Sequence, residues 1–282
     1  MDIGEARSVE LLCLVNDCVD RRGLLAEHGL SILLRTEDKT VLVDAGQTPE
    51  TFFHNAKRLK VGLKAVNDLI ITHGHYDHAG SVTSLSNSLG PSLRILAHPD
   101  ALEAKFVVKE GKLKHIGVPF KAGGLQSTLT LSKRPTRVAE GVATTGEIWR
   151  VMDFEITEDK FVVVKEGERR RDYVMDEQGI IAMVRGRGLL VITGCGHPGV
   201  INTVRHAMRM TGVDEVYGVV GGLHLRKARE ERIERTIREL RELDPSLIAP
   251  CHCTGIRAVS ALYREFRDRM RTFHVGDRIR IG

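Results

Sequence analysis

The sequence has no long hydrophobic run, and this absence restricts where the protein is expected to work. None of its apolar segments approaches the roughly 20 residues that a membrane-spanning helix needs. Residues 1–10 are largely polar and lack the apolar core of a secretory signal. We therefore expect a cytoplasmic protein that makes no contact with a membrane.

Cysteine and aromatic residues are also scarce. The five cysteines are odd in number and are not spaced like the paired framework of a small secreted protein, so we interpret them as thiols or metal ligands. Aromatic residues make up 5% of the chain, and no basic patch is interleaved with them as in proteins that stack on single-stranded nucleic acid. A nucleic-acid partner is therefore disfavoured.

The composition is that of a chain with a sizeable core. Its 282 residues, 42% of them hydrophobic, suit a single α/β domain spanning 1–282, with an inserted lobe or lid at about 100–150. The net charge of +5 favours an anionic small-molecule substrate, although a solvated, arginine-rich surface explains it equally well. The oligomeric state has no signal in the sequence.

Hydrophobic periodicity predicts strands that alternate with amphipathic helices in both halves of the chain. The first three strands are joined by turns, which is typical of an antiparallel meander. The charge run at 166–171 is interpreted as an exposed hairpin tip, because blocks of like charge usually stay solvated. A tail strand is predicted to begin at 273–276.

The densest group of metal-binding residue types follows a short apolar strand at 69–72. Within six residues the chain carries three imidazoles and a carboxylate, on His73, His75, Asp77 and His78. These are ligands of zinc-type ions, and polar groups so close to a buried strand are costly unless a cation neutralises and orders them. The pattern predicts a metal site.

Three further candidates stand where later strands are predicted to end: Cys195, His224 and His252. Side chains at strand ends gather along one edge of a sheet, which suits a site built on rigid elements. His197 lies two residues after Cys195, and either of the two could be the ligand. Side-chain alternation in an extended segment places Cys251 and Cys253 on the face opposite His252, so we prefer the histidine as the ligand.

The His-x-His-x-Asp-His pattern after an apolar strand resembles the metallo-β-lactamase superfamily. The resemblance implies an α/β fold, a four-layer αββα sandwich of two mixed sheets with helices outside. It implies that His73 and His75 bind a first metal, that Asp77, His78 and His252 bind a second, and that Asp44 supports the metal loop. Zinc is the expected ion, in one or two copies, with Mn²⁺, Mg²⁺ or Fe²⁺ as alternatives.

The chain departs from the family pattern at two positions. Cys195 stands where a strand-Thr-Gly-Asp motif supplies a carboxylate, and a thiolate is also a sound zinc ligand. The third ligand of the first metal is normally a histidine in a Gly-His-x-x-Gly setting, which is missing. Glu147 and His197 are the candidates to replace it.

A narrower resemblance covers most of the chain. It is carried by motifs that include Glu27-His28-Gly29-Leu30-Ser31, Thr193-Gly194-Cys195-Gly196-His197-Pro198-Gly199, Gly221-Gly222-Leu223-His224 and His252-Cys253-Thr254-Gly255. Together they resemble the branch of 7,8-dihydropterin-6-methyl-4-(β-D-ribofuranosyl)-aminobenzene-5′-phosphate synthases. This implies a metal-dependent enzyme acting on a phosphate- or pyrophosphate-bearing small molecule, either a hydrolase or a transferase that joins a dihydropterin pyrophosphate to an arylamine. The alternative is a metal-dependent nuclease or phosphodiesterase acting on nucleic acid.

The candidate residues for chemistry and substrate binding lie in three segments. Asp77, His197 and His224 are the candidates for catalysis. Trp149 and Arg150 could supply a stacking surface beside a guanidinium, and Glu147 lies next to them. Trp149 is equally well explained as an ordinary core residue, since a lone tryptophan is often buried.

Overall fold

The computed structural model describes residues 1–282 and contains two large β-sheets and one small one. The strands are β1 (Val9–Val15), β2 (Ser31–Arg35), β3 (Thr40–Val43), β4 (Val66–Ile70), β5 (Arg94–Ala97), β6 (Ala104–Lys109), β7 (Lys112–His115), β8 (Thr128–Leu131), β9 (Thr136–Ala139), β10 (Val142–Thr144), β11 (Phe161–Lys165), β12 (Glu168–Arg171), β13 (Ile180–Val184), β14 (Gly188–Thr193), β15 (Val216–Gly222), β16 (Leu247–Cys251) and β17 (Arg278–Ile281). The helices are α1 (Pro49–Arg58), α2 (Tyr76–Ala79), α3 (Val82–Leu89), α4 (Val200–Thr211), α5 (Glu230–Leu243) and α6 (Ile256–Phe266). None of these helices is both long enough and apolar enough to cross a bilayer.

The first large sheet has seven strands in the order β17-β1-β2-β3-β4-β5-β8. Strands β1 to β3 pair antiparallel, as the predicted meander requires, whereas β3, β4, β5 and β8 pair in parallel. Parallel neighbours need a crossover, and α1 supplies the one between β3 and β4. Helix α1 begins directly after Thr48, because the Thr48 side chain accepts a hydrogen bond from the amide of Thr51 and Pro49 occupies the first turn.

The second large sheet has six strands in the order β16-β15-β14-β13-β10-β9. A tight turn joins β13 and β14 as an antiparallel pair, and α4 and α5 make the crossovers that keep β14, β15 and β16 parallel. The first turn of α4 is capped from a distant segment, because the Glu155 carboxylate accepts the amides of Ile201 and Asn202. The loops that follow β14, β15 and β16 therefore lie along the same edge of this sheet.

The two large sheets enclose one apolar core and carry helices on their outer faces. Alternation along β1 sends Leu11 and Cys13 into the core between the sheets, where they pack with residues of β13 and β14. It sends Leu12 and Leu14 outward into a second core beneath α1 and α3. A third core lies between the second sheet and helices α4, α5 and α6. The predicted four-layer sandwich is therefore confirmed.

A small antiparallel sheet with the order β12-β11-β6-β7 stands apart from the two large ones. Only the first part of the segment at 100–150, where a lobe was predicted, belongs to it. Strand β8 joins the first large sheet and β9 and β10 join the second, while the other half of the small sheet comes from 161–171. The hairpin of β11 and β12 contains the charge run that was predicted to be a hairpin tip.

The tail strand lies further along the chain than predicted. Residues 273–276 precede it in a loop, and β17 pairs antiparallel with β1 from Ile281 to Arg278. Phe273 and Val275 are buried, which explains why the segment has the apolar pattern of a strand. The chain thus returns to the first sheet after completing the second.

Candidate metal centre

The loop after β4 delivers one group of three imidazoles. His73 Nε2 lies 2.9 Å from His75 Nδ1, and a nitrogen of His197, from the loop after β14, completes the group. The three donor atoms lie within 4.8 Å of one another, and all three residues are buried. Of the two candidates for the third ligand of the first metal, His197 is therefore the one that lies beside His73 and His75. Three imidazoles in this arrangement match the ligand set of a zinc ion with an open position.

A second group forms where α2 meets the end of β16. Asp77 Oδ2 lies 3.8 Å from His78 Nε2 and 3.6 Å from His252 Nε2. The two Nε2 atoms are 3.2 Å apart. The predicted second-metal ligands therefore converge, although they lie more than 170 positions apart in the chain.

Two carboxylates fix the orientation of these two histidines. His78 Nδ1 lies 2.6 Å from Asp44 Oδ2, and His252 Nδ1 lies 2.7 Å from Asp17 Oδ1. Each Nδ1–H therefore donates to a carboxylate, which turns the two Nε2 atoms toward each other. Burial opposes protonation, but Asp44 and Asp77 raise the pKa of His78 to about 9, so the surroundings favour a positive charge. Carboxylate–histidine pairs of this kind orient metal-binding imidazoles.

Cys195 lies between the two groups. Its Sγ lies within 4.8 Å of a ring nitrogen of His73 and of His78. It also lies within 4.8 Å of a ring nitrogen of His224 and of the Sγ of Cys253. The loop that carries Cys195 is held by Glu177, whose carboxylate accepts the amides of Cys195 at 3.0 Å and His197 at 2.6 Å. Burial raises the pKa of Glu177 to about 7.

The loop that carries His73 and His75 is also supported by buried charged residues. Asp176 accepts the amide of Gly74 at 2.7 Å and the ammonium of Lys105 at 2.8 Å. Gly74 is required at this point because a Cβ would lie 2.0 Å from the carbonyl oxygen of Ala101. Lys105 also pairs with Asp172, so the buried ammonium is matched by two carboxylates.

Cys253 is the site residue that side-chain alternation missed. The segment from His252 to Thr254 is a short 3₁₀ turn, and His252 has a φ of +48°. The chain is therefore not extended here, and both His252 and Cys253 face the centre. His224 also has a left-handed backbone, with a φ of +49°. Such a conformation costs about 1–2 kcal/mol for a residue with a Cβ, and strain of this kind clusters at functional sites.

A cavity of about 260 Å³ opens beside the two groups. One wall is apolar and comes from the small sheet and its surroundings, with Phe161, Ile116, Val107 and Tyr76. The mouth carries charged side chains, namely Glu158, Lys160, Arg226 and Lys227, together with His28. Sequence reasoning singled out none of these for substrate binding. His28 could have been found, because it belongs to a quoted family motif.

His28 joins the cavity mouth to the second metal group. Its Nε2 lies 3.3 Å from Asp77 Oδ2 and its Nδ1 lies 3.1 Å from Asp17 Oδ2. The hydrogen bond to Asp17 raises the pKa of His28, although partial burial opposes this. Arg226 donates to Asp17 at 2.7 Å and to the carbonyl oxygen of His252 at 2.8 Å, so it also helps to hold His252 in place.

The structure places the three predicted substrate-binding residues away from this cavity. Glu147 accepts a hydrogen bond from His98 at 3.0 Å and pairs with Lys133. Trp149 is 53% exposed, and the guanidinium of Arg209 stacks on its ring at 3.8 Å. The tryptophan is therefore neither core nor pocket wall.

The Arg150 side chain forms hydrogen bonds within the protein and does not face the cavity. Its guanidinium donates to the hydroxyl of Thr157 and to the carbonyl oxygens of Tyr173 and Val174. These acceptors fix the segment that precedes Asp176, and the charge does not reach the cavity. Residue type and neighbourhood in sequence do not show which backbone carbonyls a guanidinium will meet.

The four-layer sandwich and the two groups of potential metal ligands together define the class of protein. A model of the metallo-beta-lactamase superfamily matches residues 25–201, and the chain belongs to this superfamily, whose members are mostly metal-dependent enzymes. It is similar to the 7,8-dihydropterin-6-methyl-4-(beta-D-ribofuranosyl)-aminobenzene-5′-phosphate synthase of Methanocaldococcus jannaschii, with 30% identity over 98% of each chain. An uncharacterized protein of the same organism is 30% identical over 84% of this chain and 88% of its own.

A solved structure supports the same assignment. Tm1679, described as a metal-dependent hydrolase of the beta-lactamase superfamily, superposes with a TM-score of 0.84 and 29% sequence identity. The match covers 97% of this chain and 99% of Tm1679. The relatives thus carry names of two reaction types, a synthase and a hydrolase, on one fold.

Proposed function

We propose that this chain is a dinuclear zinc enzyme that displaces pyrophosphate from a ring-bearing small molecule. The first ion would be held by His73, His75 and His197, the second by Asp77, His78 and His252, and Cys195 would contact both. The observation that carries the proposal is that the Nε2 atoms of His78 and His252 face each other at 3.2 Å while a carboxylate holds the Nδ1 of each ring. When bound, such ions polarise a phosphoryl oxygen and stabilise the charge on a leaving group.

The donor set favours zinc over harder ions. Imidazole suits zinc, and the Cys195 thiolate is a soft ligand that Mg²⁺ and Mn²⁺ rarely accept. Of the residues predicted to take part in catalysis, Asp77 and His197 serve as ligands in this proposal. His224 stands on the cavity wall, with its ring centroid 4.1 Å from that of His197.

The residues around the cavity support the proposal of a substrate that has a flat ring and a phosphate or pyrophosphate group. Phe161 is a buried aromatic wall against which a ring can pack, and Lys160 and Lys227 lie at the mouth, where an anion would sit. Ammonium groups bind phosphate oxygens by charge-assisted hydrogen bonds. The net charge of +5 and the name of the Methanocaldococcus relative support the same class of substrate.

We infer that the attacking group is an arylamine, because the similarity to the synthase extends over 98% of both chains. Hydrolysis by water is the second candidate, favoured by the description of Tm1679. In either reaction the bond between the ring-borne carbon and the pyrophosphate oxygen breaks, and pyrophosphate takes the bonding electrons. The proton released by the arylamine or by water then passes to the medium or to a cavity side chain.

The test is a product analysis of zinc-loaded protein with a dihydropterin pyrophosphate, with and without an arylamine phosphate. Formation of the coupled product and free pyrophosphate, dependent on the arylamine, is expected. Formation of the pterin alcohol alone would assign the hydrolase reaction instead. Cleavage of bis(p-nitrophenyl) phosphate without turnover of either pterin substrate would favour the phosphodiesterase alternative and overturn the proposal.

A matched pair of lysine variants tests the substrate charge. Lys227→Ala should raise KM for the pyrophosphate substrate about tenfold, because a hydrogen bond to a charged group contributes about 1.5–3 kcal/mol. Lys64→Ala removes an equally exposed ammonium far from the cavity and should leave KM unchanged. Equal KM values for the two variants would show that Lys227 does not bind the substrate anion.

A further inference from the structure

Two thiols and an imidazole form a third donor cluster beside the proposed metal pair. Cys195, His224 and Cys253 each offer one donor atom, and these atoms lie within 4.8 Å of one another. All three residues line the cavity. Neither His224 nor Cys253 belongs to the two ligand groups proposed for the metal pair.

A glycine leaves the space in which the Cys253 side chain lies beside Cys195. The Cys253 Sγ lies 2.9 Å from the carbonyl oxygen of Cys195, which brings the two cysteines together. A Cβ on Gly222 would lie 2.7 Å from that Sγ and 3.1 Å from the Cα of Cys195. Only glycine therefore leaves the space that the Cys253 side chain occupies.

One ring nitrogen of His224 forms no hydrogen bond. Its Nδ1 is buried and has no hydrogen-bond partner, and its backbone has a φ of +49°. An imidazole that is turned into a cavity by a left-handed backbone and left unpaired has the properties of a ligand rather than of a packing residue. The donor set of two sulfurs and one nitrogen occurs in zinc sites that keep an open position.

We propose that Cys195, His224 and Cys253 form an additional binding position for a thiophilic divalent cation, zinc above all. The open position of this site faces the cavity. Cys195 also lies within 4.8 Å of donor atoms of His73 and His78, so its thiolate links this position to the metal pair. The site stands on donor geometry alone and does not depend on the substrate proposed above.

Cobalt binding to the reduced, metal-free protein tests this site independently of turnover. Cobalt(II) replaces zinc and gives a near-ultraviolet charge-transfer band for each bound thiolate. Cys253→Ser should lose the part of the band that the Cys253 thiolate contributes, whereas Cys195, which also contacts the metal pair, keeps its own part. The variant should also bind one equivalent of metal fewer than the wild type.

Cys251→Ser is the matched control, since Cys251 is buried two residues away and belongs to no donor cluster. It should keep the full band and the full stoichiometry. His224→Ala should keep both thiolates but bind the last equivalent at least tenfold more weakly, because even the loss of a supporting contact costs about 10–100-fold in metal affinity.

Two results would overturn the proposal. One is a Cys253→Ser variant that retains the full charge-transfer band and the wild-type stoichiometry. The other is obtained on the wild type and does not depend on folding of any variant: alkylation of Cys253 that is as fast in fully zinc-loaded protein as in metal-free protein. Slower alkylation of Cys253 when zinc is bound is the expected result.

Discussion

Replacing Asp44 by asparagine tests how the first sheet orients the metal ligands. The Asp44 carboxylate is fully buried and accepts three hydrogen bonds, from the amide of Thr72 at 2.8 Å, its hydroxyl at 2.8 Å and His78 Nδ1 at 2.6 Å. Oδ1 serves the amide, and Oδ2 serves the other two donors. Asparagine has almost the same shape but only one accepting oxygen.

The magnitude follows from this hydrogen-bond count. Whichever way the amide group of Asn turns, its NH₂ meets either the Thr72 amide or His78 Nδ1, so at least one buried donor loses its acceptor. An unsatisfied buried donor costs about 1–3 kcal/mol, which should appear in the free energy of unfolding of the metal-free protein. Loss of the carboxylate behind His78 should also weaken metal binding about 10–100-fold.

The assays are urea unfolding of metal-free protein and calorimetric zinc titration, each compared with Asp38→Asn. Asp38 is exposed in the turn before β3, so its change should stay within about 0.5 kcal/mol. An Asp44→Asn protein as stable as this control, with zinc affinity within threefold of the wild type, would refute the assigned orientation of His78.

Three further predictions concern pH, metal removal and packing. Burial raises the pKa of Glu155 from its ordinary value of 4.5 to about 7, so its contribution to stability is present below 4.5 and is lost as pH rises through about 7. Urea unfolding of Glu155→Gln should show a flatter fall over that range, by at most about 3 kcal/mol, and an unchanged slope would contradict the shift. Removal of zinc by a chelator should lower Tm, since a ligand at a hundredfold excess over Kd stabilises the folded state by about 2.7 kcal/mol, and an unchanged Tm after verified removal would argue against a bound ion. Gly222→Ala should destabilise the protein by about 1–3 kcal/mol, because a Cβ would lie 2.4 Å from the carbonyl oxygen of Gly194. Gly62→Ala meets no neighbouring atom and should be nearly neutral in the same denaturation assay.

The parts of the fold and site that the sequence predicts are those with local signals. His73 to His78 are adjacent in sequence and follow an apolar strand, so their clustering needed no knowledge of the tertiary structure. His252 was placed by the strand before it, because parallel strands bring their ends to one edge of a sheet. The same reasoning brought Cys195 and His224 to that edge.

Features that depend on one unusual backbone angle or on distant pairing could not be predicted. The left-handed conformation of His252 turns Cys253 into the site, and no residue type at this point signals it. The small sheet pairs Phe161 with Val107, two segments more than 50 positions apart, with little alternation of burial along β6. The apolar wall of the cavity therefore had no local signature.

Each of the two ligand groups described above combines residues from both large sheets. His75 lies in the loop after a strand of the first sheet, and His197 and His252 come directly after strands of the second. The apolar core holds the sheets together by contacts without direction, whereas a bound ion fixes the position of one sheet edge relative to the other. Any opening that separates the sheets must then release the ion first. Amides on β4 and β14 would exchange with solvent as one unit, at a rate limited by metal dissociation. With an ion bound, the lifetime of that ion would thus also set the lifetime of the closed sandwich.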